Sequence, residues 1–376
     1  MRAVAACVSD GVSDAFDIGP TLPSAALGGP LAPPPPHASA SASASASASA
    51  SASASASASA STSASASPFA APALAAAAPP LTLVAFETML HAPRSWGLSP
   101  IDSGGFYLLR THLARLLGSA LALGFRQVPP PEALVALLAE AASAWPAEQP
   151  SRVRLSLGAD GERRIERSPL AGVVSASFPC FSRAVSIRAL MASLGESPPR
   201  GERGGAGARR VVLDSWPVCS CDPSLLHKTS ARHVYDGARA RAGIGSKPAP
   251  SARSHGAAAA PFDVLLYNEA GEVTECCIAN VALEDGRGGW ATPPVECGLL
   301  PGVMRAALLN AGALYEAVVT LEGLCVALRE GRCLVAFNSL RGVYHVELDL
   351  ERLAREAGAA SRSGAYSQAP PAFSKL

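Results

Sequence analysis

Short stretches of the chain alternate hydrophobic and polar residues with a period of two or are rich in β-formers, which predicts β-strands. The predicted strands are residues 81–89, 106–109, 153–157, 210–214, 262–267, 272–283, 316–320, 333–337 and 343–348. Two of the intervening stretches, Gly158–Gly161 and Asn268–Gly271, have the composition of tight turns. The sequence therefore predicts a fold with many short strands.

Other stretches repeat their apolar residues every three or four positions, which predicts helices. In residues 111–121, Leu113, Leu116 and Leu117 share one face, and Thr111 is the expected N-cap. Further helices are predicted at residues 132–144, 231–241, 302–310 and 321–329. Strands and helices mix without strict strand–helix alternation, so the predicted fold class is α+β.

The first part of the chain lacks the composition of a packed domain. Residues 37–67 are almost pure Ser–Ala alternation and follow four prolines. Such residues offer too little apolar area to offset the entropy of ordering them. We predict a disordered tail over residues 1–80; a silk-like sheet is the alternative, because alternating small residues have the period of a strand.

The rest of the chain is divided by Gly-, Pro- and Ser-rich segments. These lie near residues 195–209 and 245–261. The predicted organisation is a tail (1–80), a small α/β domain (81–167), a linker or insert (168–209), a large domain (210–358) and a C-terminal tail (359–376).

Charge and composition exclude several classes of function. The net charge is +1, so nothing favours nucleic acid as a partner. No run of about 18 uninterrupted apolar residues exists, so no membrane span is expected. The N-terminus lacks a clean signal peptide because acidic residues interrupt it, which favours a cytoplasmic protein; a plastid-type or other organellar leader in the Ser/Ala tract is the alternative. The nine cysteines lack zinc-type spacing, so we expect thiols of a reducing compartment and no metal site.

One lysine stands out as a candidate nucleophile. Lys228 is one of only three lysines in the chain. It follows the apolar residues Leu225 and Leu226, and we expect this segment to be ordered. Partial burial would lower its pKa and leave a neutral amine that can attack an aldehyde. The alternative is an ordinary surface lysine at a helix start.

Glu275 is a candidate partner for a positively charged group. On a strand it shares a face with the apolar Val273, and a carboxylate on such a face needs a partner. A protonated pyridine nitrogen is a suitable partner, because the carboxylate keeps that nitrogen charged. The alternative is an acid at a strand edge in water.

Three further features could receive a phosphate. The turn before residue 303 leads into a helix whose first amides, those of Val303 and Met304, would face an anion. Arg115 lies on the inward face of its helix, and Ser339 offers a hydroxyl in a turn between strands. Each has a plainer interpretation: a helix start without a ligand, an arginine that reaches to solvent, or an ordinary turn. With Lys228 and Glu275 they could together hold pyridoxal phosphate.

Seven motifs occur in the order typical of one known family. They are Phe86–Met89, His112–Ala120, His227–Thr229, Gly271–Asn280, Thr292–Pro294, Gly298–Arg305 and Phe337–Gly342. The chain resembles the class IV aminotransferases, the fold-type IV pyridoxal-phosphate enzymes, over roughly residues 84–346. Within that family the resemblance is closest to the 4-amino-4-deoxychorismate lyases, in particular to the lyase domain fused to aminodeoxychorismate synthase. The opening strand and Asp-Arg-Gly segment of free-standing members are replaced here by Ser/Ala/Pro sequence.

The resemblance implies a role for each candidate residue. Lys228 would form the Schiff base with pyridoxal 5'-phosphate and shuttle protons, and Glu275 would pair with the pyridine nitrogen. The phosphate would be held by Arg115, the amides of Val303 and Met304, and Ser339. The family fold is a small α/β domain and a larger pseudo-barrel domain with the cofactor between them, commonly in a homodimer.

The resemblance also implies a reaction on a small-molecule amino substrate. The expected activity is that of a lyase that releases pyruvate and 4-aminobenzoate, a folate precursor. Two alternatives stay open at this point: a class IV aminotransferase acting on D-amino or branched-chain amino acids, and a non-catalytic relative.

Overall fold

The computed structural model describes residues 82–102, 104–195, 209–245 and 261–363. The predicted tail, residues 1–80, lies outside the described residues. Two sheets and seven α-helices make up the part of the chain that the structure describes. The strands are β1 (Val84–His91), β2 (Ser151–Gly158), β3 (Arg163–Pro169), β4 (Arg209–Leu213), β5 (Asp263–Tyr267), β6 (Val273–Cys276), β7 (Asn280–Glu284), β8 (Trp290–Thr292), β9 (Tyr315–Glu316), β10 (Leu334–Asn338) and β11 (Gly342–Leu348).

The helices lie between these strands and after the last of them. They are α1 (Leu109–Ala122), α2 (Pro131–Ser143), α3 (Ile187–Ser193), α4 (His233–Arg241), α5 (Val303–Asn310), α6 (Leu321–Arg329) and α7 (Leu350–Ser363). α3 lies inside the predicted linker 168–209, and α7 includes the first residues of the predicted C-terminal tail. The domain boundaries stay predictions.

The smaller sheet is antiparallel, with the strand order β1-β2-β3. One face carries alternate residues of β1 and β2, among them Met89, Val153 and Leu155, which are fully buried. Leu113 and Leu116 of α1 pack against them, at the helical spacing that the sequence predicts. The opposite face of β1 carries Phe86, so its ring points away from α1 and can contact Lys228.

The larger sheet is mixed, with the order β6-β5-β4-β11-β10-β7-β8-β9. β4 lies parallel to both β5 and β11, while the hairpin neighbours are antiparallel. β6 also meets β7, which stands five places away in the sheet, through the bridge between Cys276 and Ala279. The sheet therefore curls like part of a barrel, and α5 packs on one apolar face of it through Val303, Met304 and Leu308. The predicted α+β class is confirmed.

Several predicted elements are wrong in position. Residues 106–109 are not a strand: Phe106 and Tyr107 form single bridges, and α1 begins at Leu109, before the expected N-cap. The turn into α1 is made by Leu108, whose φ of 58° is left-handed. The predicted strand 272–283 is two strands, because the amide of Ile278 donates to the Asp263 carboxylate at 3.2 Å and fixes a tight turn.

The expectation that the cysteines are thiols is wrong for one pair. Cys219 and Cys221 form a disulfide across a single residue, in the loop that leads from β4 to Lys228. The other described cysteines are free, and most of them are buried. Spacing arguments aimed at Cys-x-x-Cys pairs pass over a Cys-x-Cys pair of this kind.

Candidate active site

Lys228 lies on the edge of β1 and is positioned by backbone hydrogen bonds. Its carbonyl oxygen accepts a bond from the Phe86 amide at 2.9 Å, and the Ser230 amide donates to Val84 at 2.8 Å. The Lys228 ammonium nitrogen, Nζ, lies 5.0 Å from the centroid of the Phe86 ring. Burial, reinforced by the charge of Arg115, lowers the pKa of Lys228 to about 7. The side chain is therefore a neutral amine above neutral pH.

Glu275 is buried and hydrogen-bonded on both carboxylate oxygens. The Tyr235 hydroxyl and the Leu300 amide each donate to Oε1 at 2.8 Å, and the Asn280 amide donates to Oε2 at 3.1 Å. Burial raises the pKa of Glu275 to about 7, while the Leu300 and Tyr235 hydrogen bonds oppose that rise. The positive charge of Lys228 also opposes the rise in the pKa of Glu275. A cation beside Glu275 would stabilise its charged form.

Arg115 is held by a buried carboxylate. Its Nε and Nη2 donate to the two oxygens of Glu87 at 2.8 and 2.7 Å, and His112 Nδ1 lies 2.7 Å from Glu87 Oε2. Burial would raise the pKa of Glu87, but the neighbouring Arg115 and His112 charges lower it to about 2. Glu87 therefore stays ionised and fixes the guanidinium. His112 Nε2 is buried and has no hydrogen-bond partner.

The start of α5 meets Arg115 directly. Arg115 Nη1 donates to the Pro301 carbonyl at 3.1 Å, two residues before Val303. Gly302 is the N-cap, and no side chain caps the amides of the first turn. A Cβ at Gly302 would collide with the Asn280 side-chain oxygen, so the close approach of the two requires glycine. Arg115 therefore contacts the residue that precedes the N-cap of the helix bearing the Val303 and Met304 amides.

Among the predicted site residues, Ser339 has the fewest contacts with the others. It is buried in the β10–β11 turn, and no hydrogen bond joins it to Lys228, Glu275 or Arg115. Its neighbour Asn338 donates to the Ile278 carbonyl at 2.9 Å, which attaches the turn to the end of β6. Ser339 therefore lies at the same end of the sheet as the β6–β7 turn, and its contact with a phosphate stays a prediction.

The residues present fit pyridoxal phosphate. The donor set contains a neutral primary amine, a buried carboxylate and an arginine beside uncapped helix amides, which match an aldehyde, a ring nitrogen and a phosphate. Nothing in the geometry opposes the assignment.

Three residues of this site received no role from the sequence. Glu87 and His112 lie inside recognised motifs, but alternation alone places Glu87 on a buried strand without naming its partner. Tyr235 lies on α4, and only the packing of α4 against β5 brings its hydroxyl to Glu275. Two sequence signals could have identified these residues as members of the site: Glu87 lies at a buried strand position, and Tyr235 lies on the buried face of its helix.

No other kind of site emerges from the described residues. No group of three His, Cys, Asp or Glu side chains there is placed to bind a metal ion. No helix within the described ranges is long and apolar enough to cross a membrane.

The structure combines a mixed sheet, a lysine with a lowered pKa, a buried carboxylate and a helix N-terminus that could bind an anion. This combination is typical of enzymes that act on amines. The chain belongs to the family described as amino-transferase class IV, whose sequence model matches residues 84–348. The family implies pyridoxal phosphate as cofactor.

Individual relatives place the chain within that family. A protein of Schizosaccharomyces pombe, provisionally named an aminodeoxychorismate lyase, is 28% identical over 275 residues, which is 69% of this chain and 86% of the relative. A crystal structure from Mesorhizobium loti, provisionally named an amino-acid aminotransferase, is 28% identical with a TM-score of 0.51, over 71% of this chain and 100% of that one. A 4-amino-4-deoxychorismate lyase from Pseudomonas aeruginosa is 20% identical with a TM-score of 0.45, over 74% of this chain and 90% of that one, too distant to inform the reaction.

Proposed function

We propose that the chain is a pyridoxal-phosphate-dependent 4-amino-4-deoxychorismate lyase, which releases 4-aminobenzoate and pyruvate. The observation that carries the proposal is the position of Lys228, which is hydrogen-bonded to the Phe86 amide at 2.9 Å with its amine 5.0 Å from the Phe86 ring, where burial lowers the pKa of that amine to about 7. An amine with that pKa can both attack an aldehyde and accept a proton near neutral pH. The similarity to the yeast relative favours this reaction over others of the family.

Lys228 would hold the cofactor and Glu275 would face its ring nitrogen. Arg115, the amides of Val303 and Met304, and Ser339 would hold its phosphate. When bound, pyridoxal phosphate supplies an electron sink for the carbon that bears the substrate amine. These are the roles that the family resemblance implies.

In the proposed reaction Lys228 acts as the base. Its neutral amine takes the proton from the substrate carbon that bears the amino group. The neighbouring ring carbon–oxygen bond then breaks, enolpyruvate leaves, and the ring becomes aromatic. A proton added to enolpyruvate completes pyruvate, so the two products account for all atoms of the substrate.

An amino-acid aminotransferase is the second candidate, favoured by the Mesorhizobium loti structure. It shares the first proton transfer to Lys228 but needs a 2-oxo acid to complete its cycle. The test is incubation of the holoenzyme with 4-amino-4-deoxychorismate alone, then with amino acids and 2-oxoglutarate. Formation of 4-aminobenzoate and pyruvate in equal amounts without a 2-oxo acid supports the lyase. Amino transfer with no 4-aminobenzoate overturns it, and neither reaction favours a non-catalytic relative.

A further inference from the structure

The disulfide between Cys219 and Cys221 lies near the surface, in the loop between β4 and Lys228. Cys221 is exposed and Cys219 is partly exposed, so a small thiol in the solvent can reach the bond. A disulfide that closes a loop of only three residues removes little entropy from the unfolded chain, so it adds little to global stability. Exposed disulfides are also more easily reduced than buried structural ones. The bond therefore has the access that a reversible redox site needs.

The residue between the two cysteines is fixed on two sides. The amide and the hydroxyl of Ser220 donate to the two carboxylate oxygens of Glu269 at 2.9 and 2.6 Å. The Ser220 backbone also lies against Gly298: a Cβ on that glycine would come within 2.6 Å of the Ser220 Cα, so this approach requires glycine. The shape of the Cys219–Cys221 loop therefore determines where the backbone at residue 298 can lie.

Gly298 begins the segment that supplies backbone contacts to the candidate active site. Two residues later, the Leu300 amide donates to Glu275 at 2.8 Å, and the Leu300 carbonyl accepts from the Asn280 side chain at 3.0 Å. Leu299 between them is buried, and a close-packed side chain leaves the segment little freedom to absorb a shift. A change in the Ser220 backbone therefore reaches the Glu275 carboxylate through residues 298–300.

The same loop also leads to Lys228. The Cys219 carbonyl accepts a hydrogen bond from the Asp222 amide at 3.0 Å. The Asp222 side chain in turn accepts from the Ser224 amide at 2.8 Å and caps the single-turn helix Pro223–Leu225, which ends three residues before Lys228. The disulfide is therefore connected to the segments that carry both the amine and the carboxylate of the site.

We propose that Cys219 and Cys221 form a reversible dithiol–disulfide pair that controls the order of residues 298–300 and, through them, cofactor binding. The inference rests on the cofactor site of the proposed function but not on the lyase reaction. The site is assembled in the disulfide form, because the closed ring holds the Ser220 backbone against Gly298. In the dithiol form the loop can adopt other conformations, and the Leu300 amide is no longer held at Glu275.

The co-reactant is a low-molecular-weight thiol such as glutathione. Its thiolate attacks the sulfur of the exposed Cys221, the S–S bond breaks, and the Cys219 thiolate leaves and takes up a proton. A second thiolate attacks the mixed disulfide and releases the Cys221 thiolate, which is also protonated. The two small thiols have then lost two electrons and two protons to form one disulfide, and the protein pair has gained them. An excess of the oxidised small molecule reverses both steps.

The test follows the loop and the segment without using activity. The full chain, with and without pyridoxal phosphate, is equilibrated at fixed ratios of reduced to oxidised glutathione, and its thiols are alkylated and counted by peptide mass. Hydrogen exchange of the Leu300 amide and the affinity for pyridoxal phosphate are measured at each ratio. Cys221→Ser keeps the loop permanently open. Cys180→Ser is the matched control, because Cys180 is a partly exposed free cysteine outside this loop.

We expect Cys219 and Cys221 to change together from a disulfide to two alkylated thiols as reduced glutathione increases. Reduction should speed exchange of the Leu300 amide about 10-fold. It should weaken cofactor affinity by roughly 3- to 10-fold, less than the loss of a whole hydrogen bond to a charged group. Cys221→Ser should show these altered values at every ratio, and Cys180→Ser should behave as wild type.

The opposite results overturn the proposal. A pair that is fully alkylated at every ratio, or fully oxidised at every ratio, is not a reversible couple. A reduction that leaves Leu300 exchange unchanged, or that leaves the affinity of a cofactor-binding protein unchanged, removes the control of the site.

These readouts also separate the two proposals. Redox-dependent exchange of the Leu300 amide in a protein that binds no pyridoxal phosphate removes the proposed function and keeps the control of the segment. Cofactor affinity and lyase activity that are the same in both redox states keep the proposed function and remove the redox control.

Discussion

The backbone amide of Phe86 donates a hydrogen bond to the carbonyl oxygen of Lys228, with an N···O distance of 2.9 Å. This bond, with the isolated bridge between Ala85 and Thr229, makes the lysine segment an added piece of strand beside β1. The small sheet thereby positions Lys228, although this residue follows β4 of the large sheet in the sequence. Lys228 can act in the cleft only if both sheets are in place.

Replacement of Lys228 by Ala should abolish cofactor retention and activity. The variant lacks the amine that would hold the cofactor and act as base, and loss of a general base alone costs about 10²- to 10⁴-fold. The measurements are the visible absorbance of the purified protein and 4-aminobenzoate release. Lys228→Arg, which keeps the charge, should fail equally. Full turnover in Lys228→Ala contradicts the assigned role.

Replacement of Glu275 by Gln should lower kcat more than it lowers cofactor content. The amide keeps the shape of the carboxyl group but cannot hold a positive charge on a ring nitrogen. Tyr235→Phe is the matched comparison, because it removes one hydrogen bond to Glu275 and leaves the carboxylate. We expect a loss of about 10²-fold or more for Glu275→Gln, in line with a misplaced electrostatic group, and a smaller one for Tyr235→Phe. Equal rates for all three proteins would remove Glu275 from the mechanism.

The substitution Gly302→Ala should weaken cofactor binding. A Cβ there collides with the Asn280 side-chain oxygen, and Asn280 would have to leave both Glu275 and the Leu300 carbonyl, which it contacts at 3.1 and 3.0 Å. Gly118→Ala is the control, since a Cβ on that α1 residue meets nothing within 4 Å. The control should gain up to about 1 kcal/mol in stability. Titration of the apoproteins with cofactor distinguishes Gly302→Ala from Gly118→Ala. Equal affinities would show that Asn280 can move without weakening cofactor binding.

The sequence predicted the fold class better than it predicted the boundaries of the elements. Lys228, Glu275 and Arg115 were predictable because a rare lysine, an acid on an apolar strand face and an inward arginine each need a partner. The Glu87–Arg115 ion pair could not be predicted, because its partners lie in different elements and meet only when α1 packs on β1. The split of 272–283 into β6 and β7 depends on Asp263, a residue of another strand, so no local pattern could indicate it.

A chain that begins at Pro79 should keep full activity, whereas a chain that begins after Phe86 should be inactive. The first removes the Ser/Ala tract, whose side chains have no groups for acid–base chemistry and little area for packing. The second removes the start of β1, including the amide that bonds Lys228 and the ring that faces it. Turnover and cofactor absorbance of both chains are compared with the full chain. Lost activity in the longer one would assign the tail a structural role.

The Glu87→Gln variant should show how a buried ion pair supports the site. Folding lowers the pKa of Glu87 from 4.5 to about 2, so its ionisation stabilises the folded state above pH 4.5. This stabilisation, about 3 kcal/mol at 1.36 kcal/mol per unit, is lost as the pH falls from 4.5 towards 2. The difference in free energy of unfolding between wild type and Glu87→Gln should therefore be largest at pH 7 and shrink by that amount at low pH. Urea denaturation from pH 7 to pH 2 measures it, with Glu140→Gln, exposed on α2, as control. A difference that does not change with pH would mean that folding leaves the pKa of Glu87 unchanged, so that the neighbouring Arg115 and His112 would not stabilise its ionised form.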